Sequence, residues 1–332
     1  MLSLRFGLIT ALLAGFAMPV TAAEVHVYTS RKEHLVKPVF EKFEKETKIK
    51  VKYLTDKELP LIRKIKSEGN KPKADILLTV DAGNLWYAAQ EGILQSYDSK
   101  TIKENIPEHL RDLKDRWFGF SVRARTIVYS KARVQPTELD SYENLADKKW
   151  NKRLCLRTSK KIYNKSLVAM MISDLGEKKT ESVVSGWVKN LATNPFSNDT
   201  RLIEAIAAGQ CDVGIVNTYY VGRLIKQKPS FPVGVYWPNQ KSTGVHVNIS
   251  GGGLVKNAPH PKEAKKLLDW LSSPTAQAML AGLNLEYPAA SKVKPDPLVA
   301  SWGDFKPNII NVAKAGENQT KAVQLMDRVG YK

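Results

Sequence analysis

The stretch Cys211-Asp-Val-Gly-Ile-Val-Asn217-Thr-Tyr219-Tyr220-Val-Gly-Arg223 decides the reading of the chain. Its first half is a continuous apolar run of the kind a buried strand shows, and its second half opens a helix. Two tyrosines fall at the turn between them. Consecutive side chains diverge, so adjacent phenols are awkward packing choices unless both hydroxyls must reach into a crevice. In open α/β sheets ligands gather outside the carboxyl ends of strands, where this turn lies. Paired phenolates there suit a hard, highly charged cation such as ferric iron. Taken alone, the pair also reads as one core tyrosine beside one surface tyrosine.

The pattern around this stretch is α/β. Glu24 to Tyr28 alternates as a strand, and Leu35, Val36, Val39, Phe40 and Phe43 repeat at helical spacing. Ile49 to Tyr53 is a second strand; Leu61, Ile62 and Ile65 mark a short helix stopped by Gly69. Ala74 to Val80 is an apolar run, and Asp75 and Asp81 read as groups capping or solvating its ends. Such alternation signals an α/β sheet. Gly119 to Tyr129 is extended and long enough to run between lobes, Arg153 to Thr158 is a further strand, and Ser166 to Leu175 a helix. Gly251-Gly252-Gly253 ends an extended segment and reads as a hinge or tight turn, with anion cradling as the alternative. A chain of 332 residues is long enough for two lobes.

Residues 1–23 read as a signal peptide: Arg5, an apolar run from Phe6 to Met18, then small residues at Thr21-Ala22-Ala23. The run is shorter than the roughly 20 residues of a membrane-spanning helix. Export to the periplasm without stable membrane insertion is the expectation. The net charge of +18 is spread over amphipathic helices with no basic arm, so no nucleic-acid partner is expected; a basic surface steers anionic metal chelates instead. In an oxidising compartment Cys155 and Cys211 most simply form one disulfide. The histidines His26, His34, His109, His246 and His260 lack i,i+4 ligand spacing; His26 reads as a structural strand residue and His34 as a neighbour of the first turn. No phosphate loop, nucleophile elbow, zinc helix or acid–base pair is present, so the chain reads as a binding protein and not an enzyme.

Several ordered features then point one way: Val27-Tyr-Thr-Ser-Arg31, Ala74-Asp-Ile-Leu-Leu-Thr-Val-Asp81, Trp117-Phe-Gly-Phe with Arg123-Ala-Arg125, Tyr163-Asn164, Asn217-Thr-Tyr-Tyr220 and Asn248-Ile-Ser-Gly251. From Glu24 almost to its end the sequence resembles the periplasmic ferric-ion-binding proteins of ATP-driven iron importers, in their tyrosine-rich branch. The resemblance implies a two-lobed periplasmic binding fold of the class II type with the ligand in the cleft. The lobes would comprise residues 24–120 with 245–298, and 121–244 with 299–332. It implies Tyr219 and Tyr220 as paired ligands of transported Fe(III), and Tyr163 as a third. It also implies delivery to an inner-membrane permease by a monomer.

Many members carry a histidine where this chain has Lys32-Glu33. Lysine stays protonated near neutrality and is a poor iron ligand, whereas Glu33 is either a carboxylate donor or a solvated helix-start acid. Ser30, Arg31, Lys32, Glu33 and Arg123 form the expected surroundings of a companion anion, carbonate or bicarbonate, since Arg presents a planar fork to such groups. Ordinary ion pairs are the alternative for Arg31 and Arg123. The competing functions are the same fold holding an oxyanion or an organic ferric chelate, a secreted enzyme with a tyrosine-rich pocket, and a basic surface-binding protein.

Overall fold

The computed structural model describes residues 23–332, so the expected signal segment lies outside the described residues except for Ala23. Strand β1 (Glu24–Thr29), helix α1 (Glu33–Thr47), strand β2 (Lys50–Thr55), helix α2 (Glu58–Glu68) and strand β3 (Ile76–Val80) follow the alternation expected from their periodicity. Strand β1 pairs in parallel with β2 on one side and β3 on the other, so Val27 faces Tyr53 and Ile76. Helices α3 (Ala82–Gln90) and α4 (Lys100–Asn105) lead to the long strand β4 (Phe118–Ser130).

A second strand–helix series comes next: β5 (Leu154–Cys155), α5 (Ile162–Leu175), α6 (Glu177–Lys189), α7 (Asp199–Ala207), β6 (Val213–Asn217), α8 (Thr218–Gln227) and β7 (Val233–Tyr236). The strand expected over Arg153 to Thr158 is thus confined to Leu154–Cys155, because only these residues pair with β6; beyond them Arg157 keeps a single bridge to Phe196. The chain returns through β8 (Val247–Leu254), α9 (Pro261–Leu271), α10 (Pro274–Gly282) and β9 (Tyr287–Pro288). It ends with α11 (Pro297–Ala300), α12 (Lys314–Glu317) and α13 (Gln319–Arg328).

Strand β4 belongs to both halves. Its residues up to Ala124 pair antiparallel with β8, and Arg125 to Tyr129 pair antiparallel with β6. The apolar cores divide at the same point. One core gathers Val27, Val36, Phe43, Ile76, Trp117 and Phe120 with Ile249 and Leu267. The other gathers Ile127, Trp150, Leu167, Trp187, Val213 and Ile215 with Leu325. Val312 and Ala313 pack in the first core and Ala322 in the second, so the last passage between cores falls after Ala313.

The glycine run is neither hinge nor turn. Gly251, Gly252 and Gly253 lie inside β8, facing Thr79, Leu78 and Leu77 of β3. A Cβ on Gly251 would stand 2.1 Å from the Phe118 carbonyl oxygen, and one on Gly253 would stand 2.1 Å from that of Arg116. Glycine is required here because the backbone from Arg116 into β4 approaches too closely for any side chain.

Cys155 and Cys211 are joined in a disulfide, with Cα atoms 5.9 Å apart. Closing a loop of 56 residues contributes ~4 kcal/mol in the chain-entropy account. The bond ties β5 to the entry of β6, the strand that ends at the two tyrosines. Among the described residues no helix is long and apolar enough to cross a membrane.

Candidate functional site

Strand β6 ends at Asn217 and α8 begins at Thr218, which puts Tyr219 and Tyr220 in the first turn of the helix. Their rings lean together, with centroids 4.5 Å apart and planes tilted by 34°. Leu285 and Val299 pack against Tyr219, and the Asn217 side-chain amide donates to its hydroxyl at 3.2 Å. Arg223, one turn further along α8, lies 5.1 Å from the Tyr219 ring centre and 5.5 Å from that of Tyr220. Helix α5 starts earlier than its apolar run suggests, so Tyr163 also occupies a first helical turn. Three cations surround its ring: Lys161 at 4.8 Å, Arg123 at 5.2 Å and Arg157 at 5.3 Å. All three tyrosines line one cavity of about 440 Å³.

The opposite wall comes from the first half of the chain. Ser30, Arg31 and Lys32, which follow β1, line the same cavity. The Ser30 hydroxyl accepts from the Val80 amide at 3.2 Å and shares a hydrogen bond with Thr79, which holds the β1 and β3 ends together. Glu33 and His34 do not join them. As the first residue of α1, Glu33 turns toward β2 and accepts from the Tyr53 hydroxyl at 2.9 Å, and His34 is exposed on the helix. A carboxylate donor from Glu33 is therefore not part of this cavity.

Arg31 is 4% exposed, and its Nη1 donates to Glu286 and to Ser121, each at 3.1 Å. Its Nε and Nη2 are buried without a partner. Burial pushes the Glu286 carboxyl up, but the Arg31 and Arg123 charges and donors from Ser121 and Asn284 outweigh this and hold it below the usual range. Arg123 is also buried, donating to the Ile249 carbonyl at 2.6 Å and to Asp81 at 3.4 Å. Asp81 takes the first of the two roles the sequence left for it, capping rather than solvation. It is fully buried, caps α3 through the Gly83 amide, and accepts from Ser166 of α5 at 2.7 Å. It thus joins the two halves behind the cleft.

Sequence reading missed Arg157, Lys161, Arg223 and Glu286, all of which line the cavity. Arg157 Nη1 donates to Asp199 at 3.4 Å and to the Tyr220 hydroxyl at 3.5 Å. Only Arg223 left a signal, since it stands four and three residues after the tyrosines on one helix. Arg31, Arg123 and Arg157 each have a carboxylate partner. Lys32, Lys161 and Arg223 form no ion pair among the described residues, and Glu58 is the one lining carboxylate likewise unpaired, so the cavity keeps an excess of positive charge. Burial and the neighbouring Tyr220 charge push the Tyr163 phenol up to about 12, and burial holds Tyr219 well above the ordinary phenol value.

Residues 28–278 match the bacterial extracellular solute-binding protein family. The chain is 42% identical to iron uptake protein A1 of Synechocystis over 320 residues, covering 95% of this chain and 89% of the relative. It is 25% identical to the major ferric iron-binding protein of Neisseria meningitidis serogroup B over 332 residues, 98% of this chain and 95% of the relative. The solved structure of Trichodesmium FutA (IdiA), in complex with iron and citrate ligands, superposes with a TM-score of 0.90 at 43% identity, covering 93% of this chain and 100% of that one. Mixed sheets arranged as in two-lobed periplasmic binding proteins, together with these matches, make the chain a member of the bacterial extracellular solute-binding protein family.

Proposed function

We propose that this protein captures ferric iron in its cleft through Tyr163, Tyr219 and Tyr220 as tyrosinates, and delivers it from the periplasm to an inner-membrane ATP-driven permease as a monomer. The observation that carries this reading is the convergence of three phenols, from the first turns of α5 and α8, on one cavity rimmed by cations. An oxyanion receptor would rely on backbone amides and helix N-termini and would gain nothing from three phenols. Relatives named for iron uptake and ferric iron binding support the same cargo.

A free phenol has a pKa of about 10 and keeps its proton at neutral pH. A trivalent cation reverses that preference and displaces the proton. Three phenolates then balance the ferric charge, and further positions remain for small oxygen donors. The unpaired Lys161, Arg223 and Lys32, with the free N–H groups of Arg31, supply the charge to hold a carbonate or bicarbonate there. A second reading, a ferric carboxylate chelate, draws on the cavity volume of about 440 Å³, far more than a bare ion needs. Lobes of residues 24–124 with 245–313, and 125–244 with 314–332, are proposed in place of boundaries at 120 and 298; the packing of Val312 and Ala313 in one large core and of Ala322 in the other supports them. Closure over the ligand would bend the chain where β4 passes from one sheet to the other, at Ala124 and Arg125.

Chelator competition tests the proposal. Changing Tyr219→Phe/Tyr220→Phe is expected to weaken ferric binding by more than the about 10–100-fold typical of losing an outer support of a metal site. Unchanged affinity would overturn tyrosinate capture. Omitting bicarbonate while citrate is absent is expected to weaken binding if the companion is carbonate, and restoring citrate alone separates the chelate reading.

A further inference from the structure

We propose that His26, Asp75 and His260 form a second cation site, for a divalent ion of the zinc class, at the far end of the sheet from the tyrosines. One donor atom from each residue lies within 4.8 Å of the other two. The residues are 49 and 185 positions apart in the chain, so spacing alone could not join them. His26 lies near the start of β1 and Asp75 just before β3, whose other ends, at Ser30 and Val80, line the cleft. Strand geometry puts about 13 Å between His26 and Ser30. His260 immediately precedes α9, and the two imidazole centroids are 5.0 Å apart.

Two observations point to a ligand. First, Asp75 is fully buried, and its only ion-pair neighbour among the described residues is His260, at 3.0 Å. Backbone amides of His26 and His260 donate to it at 2.7 and 2.6 Å, but no Lys or Arg offsets its charge. Those amides and the His260 ring satisfy its oxygens, and a bound cation would supply the full positive charge that no Lys or Arg provides. Second, both ring nitrogens of His26 face pure acceptors: the Lys73 carbonyl at 3.0 Å and the Glu24 carboxylate at 2.9 Å. A neutral imidazole has one N–H and satisfies only one of them, so the other nitrogen requires an added proton or a metal.

Two imidazoles and one carboxylate are the donor set of zinc-type sites that keep a position open to solvent. Imidazole donors also separate this site from the oxygen-lined cleft, which suits a harder ion. The side chains of His26 and His260 are 27% and 31% exposed, so entry is open. A bound ion would clamp β1, β3 and the start of α9. The site shares no residue with the tyrosine-lined cavity.

Calorimetric titration of mature protein, free of any affinity tag, with Zn(II) decides the matter. The expected result is one saturable equivalent, unchanged in Tyr219→Phe/Tyr220→Phe, with a raised thermal midpoint. His260→Gln and, separately, His26→Gln are expected to weaken zinc at least tenfold while ferric binding stays intact, which also shows that each variant is folded. Co(II) in place of zinc should show visible d–d bands that both histidine variants abolish. Absence of saturable binding, zinc retained in both histidine variants, or zinc lost in the tyrosine variant would each overturn the proposal.

Discussion

Tyr163 and Tyr219 hold their protons more tightly than free tyrosine does, because burial disfavours the phenolate and neighbouring phenolates repel it. Their folded pKa values lie above the unfolded value of about 10. The stability they contribute is therefore complete below that value and is lost as pH rises through the folded value, about 12 for Tyr163. Iron binding runs the other way, since each coordinating phenol must release its proton. Apparent ferric affinity is expected to fall about tenfold per pH unit for each ligating tyrosine as the medium is acidified. Competition titrations at several pH values check this, and a flat profile would exclude phenolate ligation. The tyrosines, Arg31 and Arg123, which line one cavity, were singled out by the family resemblance, since taken alone each had an ordinary packing or ion-pair alternative. Arg157 and Glu286 were not, since no periodicity tells a buried ion-pair member from a solvated one.

At the level of elements, β8 is the sharpest departure from the sequence reading. Three consecutive glycines carry no side-chain pattern, so they resemble a turn; what fixes them as strand is the backbone of β3 on one side and of the chain entering β4 on the other. Gly251→Ala would force a Cβ to 2.1 Å from the Phe118 carbonyl oxygen. Such overpacking is expected to cost about 1–3 kcal/mol, read by urea denaturation. Gly282→Ala, at the end of α10 with nothing within 4 Å of the new Cβ, serves as the control and should be neutral or slightly stabilising. Equal effects at both positions would contradict the account of β8. The β6–α8 turn, by contrast, was readable in full, because a buried apolar strand and an amphipathic helix meet there within a few residues.

Over the whole molecule, chain length and strand–helix alternation were enough to expect α/β lobes, and the family resemblance supplied the cleft between them, whereas the path of the chain between the lobes was not legible. The passage after Ala313 depends on which core accepts Val312, a choice made by packing and invisible in local pattern. The same limit hid the His26, Asp75 and His260 cluster, which exists only once β1, β3 and α9 are assembled. Assembly also explains why the cleft stays cationic: Glu286, Asp81 and Asp199 neutralise three arginines and leave Lys32, Lys161 and Arg223 facing the cavity. The most direct test of the central claim is the visible absorption spectrum during titration with ferric citrate, for wild type and Tyr219→Phe/Tyr220→Phe. The account predicts a phenolate-to-iron charge-transfer band that saturates at one equivalent in wild type and is absent from the variant. No band at any iron level, or a band undiminished in the variant, would contradict it.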